Sequence, residues 1–232
     1  MDKLRAMWVV VPRDKTEKVL KTFRTNNSNF QYTLYGRGTI SKELASNLGL
    51  SDTAKSITVG VISEDAEEIM FAHLHQRLKL DQPGNGIVFT IPIKSVVGTY
   101  SYRFLANDLG SDKMEEKIAK KPEKLQLQKD FVLIVAVVNV DSAEKAIEAS
   151  NTAGARGATI INAHGSGSME ANLLFGISVS PEKEVVIFLV ERKIKDAVMK
   201  AVAEKVGLSR EGHGIIFSQD VEAAYGIVGE NG

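Results

Sequence analysis

Glu211-Gly-His-Gly-Ile-Ile-Phe217 has a second version in this chain, Pro83-Gly-Asn-Gly-Ile-Val-Phe89, and the two keep one register. Gly84 and Gly86 stand where Gly212 and Gly214 stand, Ile87 and Phe89 where Ile215 and Phe217 do, and Gly98 follows as Gly226 follows. In each version a helical pattern leads into a Gly-x-Gly loop and a β-rich run comes after it. Two glycines one residue apart permit positive φ and let backbone N–H groups turn toward an anion or another strand. A single loop of this kind reads as a tight helix-to-strand turn. Its recurrence says that the chain is two copies of one unit.

The flanks extend the correspondence. Leu4 to Val11 is apolar and β-branched, closes at Pro12, and predicts a strand. Asp14 with Glu17 has capping-box spacing, and the helix after it should bury Val19, Leu20 and Phe23 until Asn26, Asn27 and Ser28 stop it. A second strand, Phe30 to Leu34, ends at Tyr35-Gly36-Arg37-Gly38. A short helix over 41–48, a third strand Ile57 to Ile62, and a helix with Ala66, Ile69, Met70, Leu74 and Leu78 inward follow. The fourth strand is Ile87 to Ile91. The second half repeats the order: strand Phe131 to Val138, capping box Asp141 to Glu144, and a helix burying Ala143, Ala146, Ile147 and Ser150. Then come strand Ala158 to Ala163, strand Val185 to Val190, and a helix with Ile194, Ala197, Val198, Ala201, Val202 and Val206 inward, capped by Gly207. Each unit is β-α-β-β-α-β, the ferredoxin-like order of an α+β fold with antiparallel sheets. The expected organisation is a first domain at 1–101, a linker at 102–129 with a marginal helix over 114–121, and a second domain at 130–232.

Two helices cover one face of such a sheet, so a solvated second face demands polar–apolar alternation. Phe131-Val-Leu-Ile-Val-Ala-Val-Val138 and Val185-Val-Ile-Phe-Leu-Val190 do not alternate. Both faces of those strands should therefore be buried, which predicts sheet-to-sheet packing within the chain or a homo-oligomer. Thr58, Gly60 and Thr90 make the case weaker in the first unit.

Composition bounds the function. Lys plus Arg equals Asp plus Glu at 29 each, so no global basic field suits nucleic acid. The absence of cysteine excludes disulfides, thiolate nucleophiles and cysteine metal sites. No apolar run reaches the roughly 20 residues of a membrane span. The opening run Met7 to Val11 is too short for a signal-peptide core, and the expected location is cytoplasmic. His73 and His75, two apart on a helix, do not share a face for a metal. His164 and His213 each stand beside a glycine loop and are candidate ligand contacts. No nucleophile–base–acid order, Walker loop or H-E-x-x-H is present, so an enzyme is not expected.

Gly157-Ala-Thr-Ile-Ile-Asn-Ala-His-Gly-Ser-Gly167 followed by Gly212-His-Gly-Ile-Ile-Phe217 resembles the PII nitrogen-regulatory and PII-like signalling proteins, over the whole second unit and more weakly over 4–98. The resemblance implies a ferredoxin-like regulatory protein, trimeric in that family, that binds ATP or ADP in clefts between subunits and signals through a long loop after the second strand. It gives Thr159 the role of an adenine contact, Gly165 and Gly167 the base of the signalling loop, and Gly212 and Gly214 the phosphate-side loop. In the first copy Gly36, Gly38, Gly84 and Gly86 match, while Phe30 replaces the threonine. The family's phosphate lysine is replaced by Ile87 and Ile215, and its two C-terminal arginines by Gly226 and Val228. Each lost cation removes a charge-assisted hydrogen bond of roughly 1.5–3 kcal/mol. The effector is thus unidentified, and any adenine nucleotide should bind weakly. The reading is a small-molecule-binding regulator that signals to a protein target through 38–55 and 167–184. The alternative is a structural oligomer that binds nothing.

Overall fold

The computed structural model describes residues 3–26, 28–40, 53–106, 125–164, 182–209 and 213–227. The chain divides into two compact units. Unit 1 comprises Met1–Leu34, Lys55–Lys129 and Asp220–Gly232, and unit 2 comprises Tyr35–Ala54 and Asp130–Gln219. Each sequence half thus gives a segment to the other's unit. The helices expected over 41–48 and 114–121 lie outside the described residues.

In unit 1, β1 (Leu4–Pro12) lies between β3 (Thr53–Ser63) and β4 (Ile87–Pro92), antiparallel to both. The first residues of β2 (Gln31–Ile40) belong here as well. A ninth strand not foreseen from sequence, β9 (Ala223–Tyr225), pairs with β4. Helices α1 (Thr16–Thr25) and α2 (Glu67–Leu78) cover one face, with Met7, Val9, Val11, Val19, Phe23, Met70, Phe71, Leu74, Leu78 and Val88 in one cluster. A short α3 (Thr99–Leu105), also unforeseen, follows Gly98. Gly60 is a packing glycine: a Cβ there would sit 2.4 Å from the Phe23 ring.

In unit 2 the order is β8 (Gly214–Asp220), β5 (Phe131–Asn139), β7 (Glu182–Glu191), β6 (Gly157–His164), and then the end of β2. Helices α4 (Ala143–Thr152) and α5 (Lys195–Val206) pack on Ile134, Ala136, Val138, Val186, Phe188 and Val190. The other face of β5, with Phe131, Leu133 and Val135, is buried too, as its unbroken apolar run demanded. Gly207 caps α5 at φ 77°, its N–H donating to the Ala203 carbonyl at 3.0 Å.

Several local expectations yield to tertiary contacts. Neither capping box forms. Asp14 lies in a 3-10 turn, and Lys15 precedes α1 without a side-chain cap. Asp141 adopts φ 67°, and Glu184 on β7 accepts the Ala143 N–H instead, at 3.0 Å. Ile69 is 40% exposed, Leu20 is half-buried and Ala197 is exposed, because the core seam on each helix is narrower than the apolar stripe. Gly36 and Gly38 do not end β2. The strand continues through them to Ile40, since Gly36 pairs with Ile161, Gly38 with Thr159 and Ile40 with Gly157.

Candidate functional site

The antiparallel order brings one set of strand ends together in each unit. In unit 1 these are the end of β1 at Pro12, the start of β3, and the start of β4 after the Gly84–Gly86 loop. Gly84 has φ 80° and Gly86 φ 132°, conformations that favour glycine. A Cβ on Gly86 would lie 2.6 Å from the Val10 carbonyl oxygen. One side of this loop is therefore held against β1, and Gly226 is held against the loop's other side, 2.4 Å from the Gly86 oxygen by the same measure.

Cations missed at the sequence level gather at this end. Lys15 donates through Nζ to Asn85 Oδ1, the middle residue of the Gly-x-Gly loop, and Asn85 in turn donates to the Lys79 carbonyl at 2.8 Å. Lys55 stands opposite Pro12 in the β1–β3 register and is half-buried. Among the described residues its ammonium has neither a hydrogen bond nor an ion pair. Burial holds its ammonium below the ordinary lysine range, and the neighbouring Lys15 charge lowers it further against a pull from Asp14. Lys15 is lowered chiefly by burial as well. Two lysines with depressed basicity and one acidic neighbour form a local positive site that an anion would relieve.

Unit 2 repeats the position. Lys183 stands opposite Asn139 in the β5–β7 register and donates to Asn139 Oδ1. Gly214 has φ 131°, and a Cβ on it would lie 2.1 Å from the Val137 oxygen, so its missing side chain serves close approach to β5. A larger residue there would disturb strand pairing as well as any ligand. His213 Nδ1 faces the Val206 carbonyl at 3.3 Å, and His164 Nδ1 faces Glu182 at 3.2 Å. Each histidine thus has its own partner. Thr159 is buried and lies between Gly38 and Ile187 in the sheet. The structure brings Gly36, Gly38 and Thr159 together in unit 2, and Gly84 and Gly86 together in unit 1. Gly165, Gly167 and Gly212 lie outside the described residues. The missed signal was available: Lys55 and Lys183 keep the same register as the paired glycines.

Among the described residues, no three His, Asp or Glu side chains cluster as metal ligands, and no helix is long and apolar enough to cross a membrane.

The fold is mixed α+β with antiparallel sheets in ferredoxin-like order, and comparison with known proteins adds a likeness over part of the chain. Residues 131–231 match the family described as Nitrogen regulatory protein P-II, so the resemblance to that family is shown over the second half of the chain. Among solved structures, the chain is similar to Arabidopsis thaliana PII bound to citrate, at 21% identity and TM-score 0.33, over 41% of this chain and 80% of that one. It is similar also to CutA1 from Oryza sativa, at 14% identity and TM-score 0.36, over 46% of this chain and 94% of that one. No curated protein matches it.

Proposed function

We propose that the chain is a PII-like regulatory protein that takes a small anionic effector at the glycine-loop end of its units. Signals would pass to a protein target through segments 38–55 and 167–184. The observation that supports this reading best is Lys55, a half-buried ammonium with no hydrogen bond or ion pair among the described residues, next to the charge of Lys15, which itself reaches Asn85 in the Gly84–Gly86 loop. Its counterpart Lys183 lies within the residues that match the P-II family. A lysine pair recognises carboxylate or phosphate as point charges. The family resemblance supplies the regulatory role, with nitrogen status as the physiological setting and cytoplasm as the compartment.

The reading is tested by calorimetric titration of the full chain with ADP, ATP, inorganic phosphate and small dicarboxylates, repeated on Lys55→Met and Lys183→Met. We expect binding of at least one anion, weakened tenfold or more by one of the two substitutions. A chain that binds none of them at millimolar concentration would instead be the structural oligomer without ligand.

A further inference from the structure

The two halves carry the same strand in two states. On β4, Val88, Phe89 and Thr90 are all fully buried, and β9 pairs with them: Val88 with Tyr225, Phe89 with Ala224, Thr90 with Ala223. On β8, the corresponding Ile216 is half-buried, Phe217 is 41% exposed and Ser218 is exposed, while Ile215 is 59% exposed. Strand β8 ends its sheet, and among the described residues nothing pairs with its outer edge. An apolar, unpaired edge is a template for another strand.

The strand that would fit is present and unused. Residues 93–98 correspond in the repeat to 221–226, the stretch that forms β9. Gly98 has φ 95° where Gly226 has φ 87°, so the turn that ends the strand is already set. Gly226 is packed against the Gly86 oxygen, whereas a Cβ on Gly98 would meet only Ser101. Ile93 donates its N–H to the Leu4 carbonyl, and beyond it no backbone hydrogen bond holds 94–97 among the described residues. Val97, the counterpart of Tyr225, is 93% exposed. The socket itself is matched as well: Gly214 at φ 131° stands where Gly86 stands at φ 132°.

From this open β8 edge and the idle, pre-shaped 93–98 segment we propose that a second copy of this chain docks by strand addition. Ser95, Val96 and Val97 of one copy pair antiparallel with Ser218, Phe217 and Ile216 of the next. The register is that of β9 on β4. The edge belongs to unit 2 and the strand to unit 1, so the two contacting segments are not the same and the contact is heterologous: each copy gives a strand to one neighbour and receives one from another. Backbone hydrogen bonds supply the affinity, and the exposed Val97 and Phe217 supply the apolar cover.

The test uses sedimentation velocity on the full chain and two variants at exposed positions, with circular dichroism to confirm that each folds. Val97→Pro removes the donor strand's N–H opposite Ile216, and Phe217→Lys places a charge on the receiving edge. The wild-type chain should run larger than a monomer, and each variant alone should dissociate with at least a tenfold weaker constant. Mixed, they should form a one-to-one dimer, because Val97→Pro keeps an intact β8 edge and Phe217→Lys keeps an intact donor strand. A wild-type monomer at tens of micromolar overturns the proposal. So does an oligomer that neither variant weakens, or a mixture that stays monomeric.

Discussion

Glu67→Gln should destabilise unit 1, and the structure sets the size of the effect. Glu67 begins α2, and its carboxylate accepts from the Arg5 guanidinium on β1 and, at 2.6 Å, from the Thr90 hydroxyl on β4. The Arg5 and Glu67 side chains are only 12% and 11% exposed. Burial works against the Arg5 charge, yet Glu67 and then Glu64 raise its basicity on balance. Removing one partner of a buried pair costs about 3–5 kcal/mol, since the other charge is left desolvated. Glu64, bonded to the same guanidinium with its side chain 39% exposed, softens the loss, and we expect about 2–3 kcal/mol. Unit 2 shows that the fold does not need this buried ion pair. By strand register Val132 replaces Arg5 and Ser218 replaces Thr90, while Lys195 opens the helix in place of Glu67. The triple variant Arg5→Val, Glu67→Leu, Thr90→Val should therefore recover to within about 1–2 kcal/mol of the parent. Trp8 is the chain's single tryptophan, lies on β1, and stacks on Phe89 at 5.9 Å between centroids, so its fluorescence in urea reports unit 1 alone. A single variant costing under about 0.5 kcal/mol, or a triple variant no better than the single one, would refute the buried-pair argument.

Gly60→Ala should cost about 1–3 kcal/mol by overpacking against Phe23, read by the same fluorescence, and Phe23→Leu in that background should restore part of it. His73 donates from Nδ1 to Asn26 Oδ1 at 2.7 Å, and burial first, then Arg77, holds its pKa below the ordinary value. The unfolded chain then takes up a proton first, near pH 6.5. This contribution is fully present above that pH and is lost as pH falls through the folded value. Urea midpoints should decline on acidification over that window, and less steeply in His73→Gln; equal slopes would remove the histidine from the account. Because the Lys55 ammonium is held below its ordinary range, anion affinity should fall as pH rises through its lowered value toward about 10.4. ATP, lacking the family's lysine and arginine contacts, should bind no tighter than about 10 μM, or roughly −7 kcal/mol. Sub-micromolar binding by calorimetry would contradict that.

What the sequence determined by itself is local and periodic. The recurrence of the Gly-x-Gly stretch predicted the same order of elements in each half. The missing alternation in 131–138 required β5 to be buried on both faces, and helical spacing placed Val198, Val202 and Val206 inward, because side-chain direction follows directly from backbone period. Tertiary structure decided whatever depends on which distant backbone lies alongside. Strand β2 runs on through Gly36 and Gly38 only because 157–161 offer hydrogen-bond partners, and glycine there signals nothing on its own. The stretch Ala223–Tyr225 becomes β9 on β4 while its counterpart 95–97 has no strand partner among the described residues, a difference that no local residue pattern encodes. Asp14 and Asp141 carry the pattern of caps, but a 3-10 turn and the carboxylate of Glu184 displaced them. The Lys15–Asn85 contact joins residues far apart in the chain, and no local pattern encodes it: backbone edges pair without regard to side-chain identity, so their partners are chosen by topology.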